Sequence, residues 1–186
     1  MQRCILAAHS QHAGNILAFL PGQADIHRLA SRLAPALDKH TLIAPLYGNL
    51  SLAEQRRAIA TPPPGQRKLV LATNIAESSL TIDGVNIVID SGLERTMVFD
   101  ARNGSSRLHT QRISAASAAQ RAGRAGRQAP GVAYRLWSET EQQRLQAHSE
   151  PEILQSDLSA LVLQCLQWGS SPEALLWLDA PPPAHC

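Results

Sequence analysis

The sequence predicts an α/β fold: a parallel sheet flanked by helices, with an inserted β-hairpin and a helical C-terminal segment. Four short segments are almost continuously apolar, as is typical of strands covered on both faces in a parallel sheet. They are residues 16–20, 41–46, 68–72 and 86–90. Amphipathic helical stretches alternate with these segments, which favours right-handed strand–helix–strand crossovers. Between residues 93 and 113 the pattern changes, because Asn103 and Gly104 form a hairpin turn signal between two short strand-like segments.

The first helices are predicted from apolar spacing and from the residues that begin and end them. Apolar residues recur at helical spacing from Ile26 to Leu37, after a proline and a glycine that follow the first strand. Ser51 is a plausible N-cap, and Glu54 three residues later completes a capping box. The helix that they begin extends to about Ala60, where three prolines and a glycine end it.

The remaining elements follow in the same way. Small residues predict a helical run over 114–120, and residues 131–137 predict a last strand. Ser138 then caps a helix that carries two glutamates in its first turn. A helical stripe of apolar residues between 154 and 165 ends near Gly169.

Charge is distributed unevenly along the chain. Residues 1–93 hold eight Lys and Arg against six Asp and Glu, and residues 94–135 hold eight arginines against two acids. Residues 136–186 reverse the balance, with one arginine against seven acids. A basic middle followed by an acidic tail fits an anion-facing domain that leads into a different structural unit, although a chance cluster of solvated charges would look the same.

Several classes of protein are excluded by composition. No apolar stretch approaches the ~20 residues of a membrane span, and the apolar stretch at the N-terminus is too short for a secretory signal. Cys4, Cys165 and Cys186 are far apart and odd in number, which indicates neither a disulfide framework nor a zinc site and makes the cytoplasm the expected compartment. His9 and His12 lack a third ligand at suitable spacing, so no metal site is expected.

The most informative segment is residues 120–127, Gln-Arg-Ala-Gly-Arg-Ala-Gly-Arg, here called the arginine segment. It places three guanidiniums three residues apart, and each offers a planar fork of donors that matches phosphate oxygens. Gly123 and Gly126 carry no side chain, so the backbone can approach a ligand closely. The alternative is that these arginines only complement the C-terminal end of a helix dipole.

A second segment, residues 73–84, is Thr-Asn-Ile-Ala-Glu-Ser-Ser-Leu-Thr-Ile-Asp-Gly and is called the hydroxyl-rich loop. It follows the carboxyl end of a predicted strand, where ligands bind in open α/β sheets. A helix N-terminus with hydroxyl caps would be the plain explanation of its composition.

Taken together, the two segments resemble motifs V and VI of the DEAH-box helicases of superfamily 2, and residues 19–26 resemble their motif IV. The resemblance runs from about residue 14 to 183, and its details are similar to bacterial HrpB-type helicases. It implies a second RecA-like domain over 14–148 with a hairpin at about 94–112, preceded by an N-terminal segment over 1–13. Residues 149–186 would begin a winged-helix domain that is truncated here.

In such enzymes ATP and Mg²⁺ lie in the cleft between two RecA-like domains, and RNA or single-stranded DNA crosses both. This sequence has no Gly-x-x-x-x-Gly-Lys-Ser/Thr stretch and no Asp-Glu-Ala-His stretch. Without the first stretch there is no cradle for the phosphates and no ligand pair for Mg²⁺. We therefore expect the first RecA-like domain of the same protein as a partner, and no ATP hydrolysis by this chain alone.

The resemblance assigns catalytic roles in the arginine segment. Arg124 and Arg127 match arginine fingers that stabilise charge in phosphoryl transfer. Gln120 matches the glutamine near the γ-phosphate and the attacking water. Arg121 is expected either to contact the nucleotide or to turn away to a structural carboxylate.

Nucleotide contacts are also expected outside that segment. Asp83 matches the carboxylate that accepts from the ribose hydroxyls, unless it only forms an Asx-type turn before the next glycine. Thr81 supports the same loop. Ile59 stands where relatives often place an aromatic ring against the base, so we expect weak base selectivity.

Contacts with nucleic acid are expected from Thr73, Asn74 and Gly22, because small polar groups and exposed amides contact phosphates without reading sequence. Binding would be salt-dependent. In the family the hairpin helps to separate or guide strands, and Arg102 and Arg107 are its candidate phosphate contacts, unless they are ordinary surface arginines. Two rivals stay open: a nucleic-acid-binding or regulatory module without ATPase function, and a small nucleotide-binding protein that binds ATP tightly by itself.

Overall fold

The computed structural model describes residues 1–78, 80, 82–127 and 130–183. These residues form two compact units. The first comprises Met1–Glu94 and Arg112–His148, and the second comprises Arg95–Gln111 together with the chain from Ser149 onwards. Each unit is described by itself below.

The described residues form seven strands. They are β1 (Asn15–Phe19), β2 (Thr41–Leu46), β3 (Arg67–Ala72), β4 (Val85–Asp90), β5 (Leu93–Asp100), β6 (Ser105–Arg112) and β7 (Val132–Arg135). The first unit contains a five-stranded sheet in the order β2-β3-β1-β4-β7, and every pairing in it is parallel. The predicted parallel sheet is thus confirmed.

The helices are α1 (Gln2–Gln11), α2 (Gln23–Leu33), α3 (Leu52–Ile59), α4 (Ala115–Ala122), α5 (Glu139–Gln143) and α6 (Ser159–Trp168). Short 3₁₀ turns occur at Asn74–Ala76, Glu152–Leu154 and Pro172–Ala174. The capping box predicted at Ser51 is present, and Ser138 forms a second one with Glu141. Gly169 ends α6 in the left-handed conformation, with φ of 89°.

Helix α1 is an element that the sequence analysis does not predict. Ile5 and Ala8, three residues apart, are buried on its inner face. Arg67 at the start of β3 holds its end, because the guanidinium donates to the main-chain carbonyls of His9, His12 and Gly14. The short apolar stretch is therefore a packed helix of the first unit.

Two apolar clusters cover the two faces of the sheet. Alternate residues of β1 join different clusters: Ile16 and Ala18 belong to the first, and Leu17 and Phe19 to the second. The first cluster includes buried residues of α1 and α2. The second includes residues of α3, the hydroxyl-rich loop and the arginine segment. The face with the second cluster is therefore the one on which the candidate site lies.

The second unit contains most of the predicted hairpin, which β5 and β6 form. At its tip the Asp100 side chain accepts from the main-chain N–H of Arg102, and Gly104 adopts a φ of 63°. The Phe99 N–H donates to the Gln155 carbonyl at 2.7 Å, so the hairpin packs with the C-terminal segment. The domain boundaries themselves stay a prediction. Among the described residues, no helix is long and apolar enough to cross a membrane.

Candidate nucleotide and nucleic-acid site

The hydroxyl-rich loop runs across one face of the sheet. It leaves the carboxyl end of β3 at Ala72 and reaches the start of β4 at Val85. Its apolar residues Ile75, Ala76, Leu80 and Ile82 belong to or pack against the second cluster. Ala125 of the arginine segment belongs to the same cluster. The fold thus brings the two predicted segments to one face.

Helix α4 carries the first half of the arginine segment. Its N-cap Ser114 accepts from the main-chain N–H of Ser117. The chain beyond the helix packs closely against Gly131, where an added Cβ would lie 1.8 Å from the Ala125 carbonyl oxygen and 2.8 Å from that of Asn86. The position of the arginine segment is therefore fixed by contact with β4 as well as by the helix.

Arg121 is buried among carboxylates and contacts several strand ends. Its side chain is 1% exposed, and its Nε donates to Glu77 Oε2 at 3.0 Å. Its Nη1 donates to Asp90 Oδ1 at 3.0 Å, and Glu94 Oε2 lies 4.0 Å from Nη2. Its Cζ lies 4.9 Å from the centroid of the Phe19 ring. Of the two expected orientations, the structure has the one in which Arg121 faces structural carboxylates.

This arrangement argues against a direct nucleotide contact by Arg121. Burial raises the pKa of the Asp90 carboxyl, and the neighbouring guanidinium opposes that shift. Withdrawing the cation would leave buried carboxylates without their partner, at a cost of about 3–5 kcal/mol. Arg121 therefore holds the end of α4 to the sheet in this structure.

Arg124 is also turned away from solvent. Its side chain lies against the hydroxyl-rich loop, where Nε donates to the Glu77 carbonyl at 2.9 Å and Nη1 donates to the Leu80 carbonyl. Burial lowers the pKa of its guanidinium, which nevertheless stays charged at working pH. Of the two arginines expected to act as arginine fingers, Arg124 is therefore buried and Arg127 is exposed.

Gln120 and Arg127 are exposed and line one cavity of about 370 Å³. Glu77, Ser78 and Gly123 complete its lining, so it lies between the two segments. Its volume falls within the ~300–1,000 Å³ typical of ligand pockets. A guanidinium, a side-chain amide and a hydroxyl offer donors there, which suits phosphate oxygens.

The other expected nucleotide contacts lie towards the opposite end of the loop. Asp83 is exposed two residues before β4, and its carbonyl accepts from Asn15 Nδ2 at 3.2 Å. Ile59, the last residue of α3, is half-buried against the second cluster. Ile59 therefore lies on the face that carries the second cluster, and Asp83 lies beside Asn15 at the start of β1. Thr81 lies outside the described residues.

The expected nucleic-acid contacts of the first unit lie at the carboxyl edge of the sheet. Thr73 follows β3 and is half-buried, and Asn74 is exposed. Gly22 follows the neighbouring β1 as the N-cap of α2, and it is buried. The contact expected from the Gly22 amide stays a prediction. In the second unit, Arg102 and Arg107 of the hairpin are both exposed.

A metal site of this chain's own has no support in the donor chemistry. Among residues 1–78, 80, 82–127 and 130–183, no three His, Cys, Asp or Glu side chains lie together so as to hold an ion. The carboxylate at the cavity is Glu77, and both its oxygens accept hydrogen bonds, from Arg121 and from Ser117. The cavity therefore fits phosphates but not the Mg²⁺ that accompanies them.

A larger cavity of about 560 Å³ lies elsewhere, beside the edge strand β2. Apolar residues of β2 and α3 form much of its lining. Its buried Lys68 already donates to the carbonyls of Arg57 and Ala60 at the end of α3. Since its buried cation is engaged, this cavity is a weaker candidate for an anionic ligand.

Sequence reasoning misses three residues of the site: Glu77, Asp90 and Phe19. Glu77 lies within the hydroxyl-rich loop, and its place in that segment is the sequence signal that indicates it. Asp90 and Phe19 give no such signal, because they end ordinary apolar strands.

Comparisons with known proteins agree with the α/β fold of this chain and identify its family. The family described as Helicase conserved C-terminal domain matches residues 1–129. The chain is 53% identical to the ATP-dependent RNA helicase HrpB of Escherichia coli over 173 residues, which are 92% of this chain and 21% of that protein. It is 40% identical to the probable ATP-dependent RNA helicase DHX34 of Mus musculus over 177 residues, 94% of this chain and 16% of that protein.

Solved structures are similar as well. A crystal structure of the Escherichia coli DEAH/RHA helicase HrpB matches with a TM-score of 0.92 and 50% identity, over 99% of this chain and 24% of that one. A structure of the E. coli DExH-box NTPase HrpB matches with a TM-score of 0.88 and 49% identity. The chain thus spans about a quarter or less of the length of these relatives. It belongs to the helicase conserved C-terminal domain family and has the RecA-like fold of its DEAH-type members.

Proposed function

We propose that this chain is the second RecA-like domain of an ATP-dependent RNA helicase and completes an ATP site with a first RecA-like domain of the same protein. The relatives that it matches are named as such helicases. The observation that carries the proposal is the cavity between the two segments, in which Arg127 and Gln120 are exposed side by side. Residues 149–186 would begin a winged-helix domain.

Arg127 is the residue that reaches the γ-phosphate. A guanidinium supplied across a domain interface stabilises the charge of the phosphoryl-transfer transition state and is worth ~10³–10⁵ in rate. Gln120 lies at the same cavity and orients the attacking water. Both side chains are exposed, so neither must break a buried interaction to act.

Arg124 contributes after a rearrangement. Its hydrogen bonds go to neutral carbonyls of Glu77 and Leu80. A phosphate is a stronger partner for a guanidinium, because the acceptor is then charged as well. The presence of the triphosphate therefore favours release of Arg124 from the hydroxyl-rich loop.

Asp83, supported by Thr81, accepts from the ribose hydroxyls. Ile59 covers the base with an aliphatic side chain, and without aromatic stacking the base contributes little to selection. We expect the full-length enzyme to give similar KM values for ATP and a pyrimidine triphosphate in steady-state assays. A strict preference for ATP would contradict this role of Ile59.

The proposed contacts with RNA or single-stranded nucleic acid are Thr73 and Asn74 in the first unit and Arg102 and Arg107 in the second. These groups contact phosphates, so binding is independent of sequence and weakens with salt. Gly22, the N-cap of α2 at the same edge, is the third proposed contact, through its main-chain amide. The P-loop lysine and the Mg²⁺ ligands come from the first domain, so the chain alone does not hydrolyse ATP.

The test is Arg127→Ala in the full-length protein. The matched control is Arg144→Ala, because Arg144 is also an exposed arginine and lies at the C-terminal end of α5. RNA-stimulated phosphate release should fall by about 10³-fold in the first variant and stay unchanged in the second. An Arg127→Ala enzyme with normal kcat would overturn the proposal. RNA binding without any ATPase activity of the unmodified full-length protein would instead support a binding or regulatory module.

A further inference from the structure

Glu77 is the residue at which the hydroxyl-rich loop and the arginine segment are joined. Its side chain is 15% exposed and binds two residues of α4 at once. Oε2 accepts from Arg121 Nε at 3.0 Å, and Oε1 accepts from the Ser117 hydroxyl. These contacts connect the loop after β3 to the helix that precedes the exposed Arg127.

The main chain of Glu77 makes the connection a second time. Its carbonyl accepts from Nε and Nη2 of Arg124, which lies on the far side of Gly123 from Arg121. One residue of the loop therefore binds the arginine segment both before and after the turn at Gly123. Glu77 also lines the cavity together with Gln120 and Arg127.

We propose that Glu77 is a positioning residue that sets the angle at which the arginine segment presents Arg127 and Gln120 to the triphosphate, a role that rests on the function proposed above. Its carboxylate is committed to Arg121 and Ser117, so it holds other groups in place and is not a base or a metal ligand. Because Glu77 binds both Arg121 and Arg124, a displacement of the hydroxyl-rich loop also moves these arginines.

The experiment is Glu77→Gln in the full-length helicase, with kcat and KM for ATP measured in the presence of RNA. The amide keeps the size of the side chain but removes the charge that pairs with the buried guanidinium of Arg121. A displacement of about 1 Å in a catalytic group can cost roughly 10²-fold in rate. We therefore expect kcat to fall between tenfold and about 10²-fold, with KM changed less than about threefold.

A double variant separates positioning from a general loss of structure. If Glu77 acts through the arginine segment, Glu77→Gln combined with Arg127→Ala loses clearly less kcat than the product of the two single losses. If Glu77 only stabilises the fold, the two losses multiply, and the inference is overturned. Ser117→Ala removes one hydrogen bond to Glu77 and no charge, so it should lower kcat in the same way but by less. It replaces Glu77→Gln in the test if that variant does not fold.

The control is Glu139→Gln, at an exposed glutamate in the first turn of α5, which should leave kcat unchanged. The outcome also distinguishes the two proposals. A normal kcat in Arg127→Ala would refute the proposed function itself. A reduced kcat in Arg127→Ala with a normal kcat in Glu77→Gln would refute only the positioning role.

Discussion

Three arginines at regular spacing in one segment meet three different environments. Arg121 is enclosed by carboxylates, Arg124 lies against main-chain carbonyls, and Arg127 is exposed at a cavity. Their residue type and spacing are identical, so their roles differ only because the fold surrounds them differently. At this scale, a motif identifies the chemistry that is available but not which member of the motif can use it.

His9 gives a prediction about pH. Its Nε2 lies 2.7 Å from the Thr41 hydroxyl and 3.5 Å from Asp38 Oδ2. Burial lowers the pKa of His9 below its ordinary 6.5, Arg67 lowers it further, and Asp38 opposes them. Between the lowered pKa of folded His9 and 6.5, the unfolded chain binds more protons than the folded chain. The free energy of unfolding therefore rises with pH in this range and falls on acidification.

We therefore expect the melting temperature of the wild-type chain to fall between about pH 7.5 and about pH 5.5, and to fall less in His9→Gln, whose side chain does not titrate. Thermal unfolding followed by circular dichroism would measure this. His148→Gln, at an exposed histidine, is the matched control and should behave as wild type. Equal pH dependence in His9→Gln and wild type would contradict the assignment.

At the scale of elements, the arginine segment is held by what precedes and follows it. Helix α4 begins at its Ser114 cap, and Ala125 within the segment lies so close to Gly131 that no side chain fits there. Gly126, in contrast, has nothing within 4 Å of the position where its Cβ would lie. The two glycines therefore differ in their surroundings, since Gly131 is tightly packed and Gly126 faces open space.

This difference predicts two variants. Gly131→Ala should lower the free energy of unfolding by about 1–3 kcal/mol or more, because the added Cβ meets the Ala125 carbonyl. Gly126→Ala should leave stability within about 0.5 kcal/mol, because nothing lies within 4 Å of the added methyl group. Under the proposed function we expect it to lower the ATPase rate of the full-length enzyme, because Gly126 precedes Arg127. Urea unfolding and phosphate release measure the two effects. An unstable Gly126→Ala chain, or a stable Gly131→Ala chain, would contradict this account.

At the scale of the whole molecule, the proposed function makes this chain one part of a site that a first RecA-like domain would complete. We expect the chain alone to release no phosphate from ATP above background. Its cavity offers donors for phosphate oxygens but no free ligand for Mg²⁺, so calorimetry should find weak ATP binding. Tight ATP binding by the chain alone would favour the rival of a self-sufficient nucleotide-binding protein.

Binding of the isolated chain to single-stranded RNA should be weak and should fall as salt rises, because the expected contacts are to phosphates. Fluorescence anisotropy with a labelled homopolymer at two salt concentrations measures this. Asp38→Asn, at an exposed carboxylate outside the site, is a control for nonspecific charge effects. Affinity that is insensitive to salt would contradict a phosphate-directed surface.

The sequence by itself determined the fold class, the hairpin, the capping box at Ser51 and the family, because each depends on local spacing and on short segments of distinctive composition. It also identified the two segments that meet at the candidate site. It did not predict α1, since a short apolar stretch becomes a helix of the first unit only through the packing of Ile5 and Ala8.

Only the tertiary structure decided which of the three arginines is exposed. The partners of Arg121 are separated from it by about thirty or more positions along the chain, at Glu77 and Asp90, and the sequence does not state that they meet. Burial and ion pairing depend on the distances between such segments after folding. The residue types of the arginine segment therefore determined which chemistry is available. Long-range contacts determined the burial and the partners of each arginine.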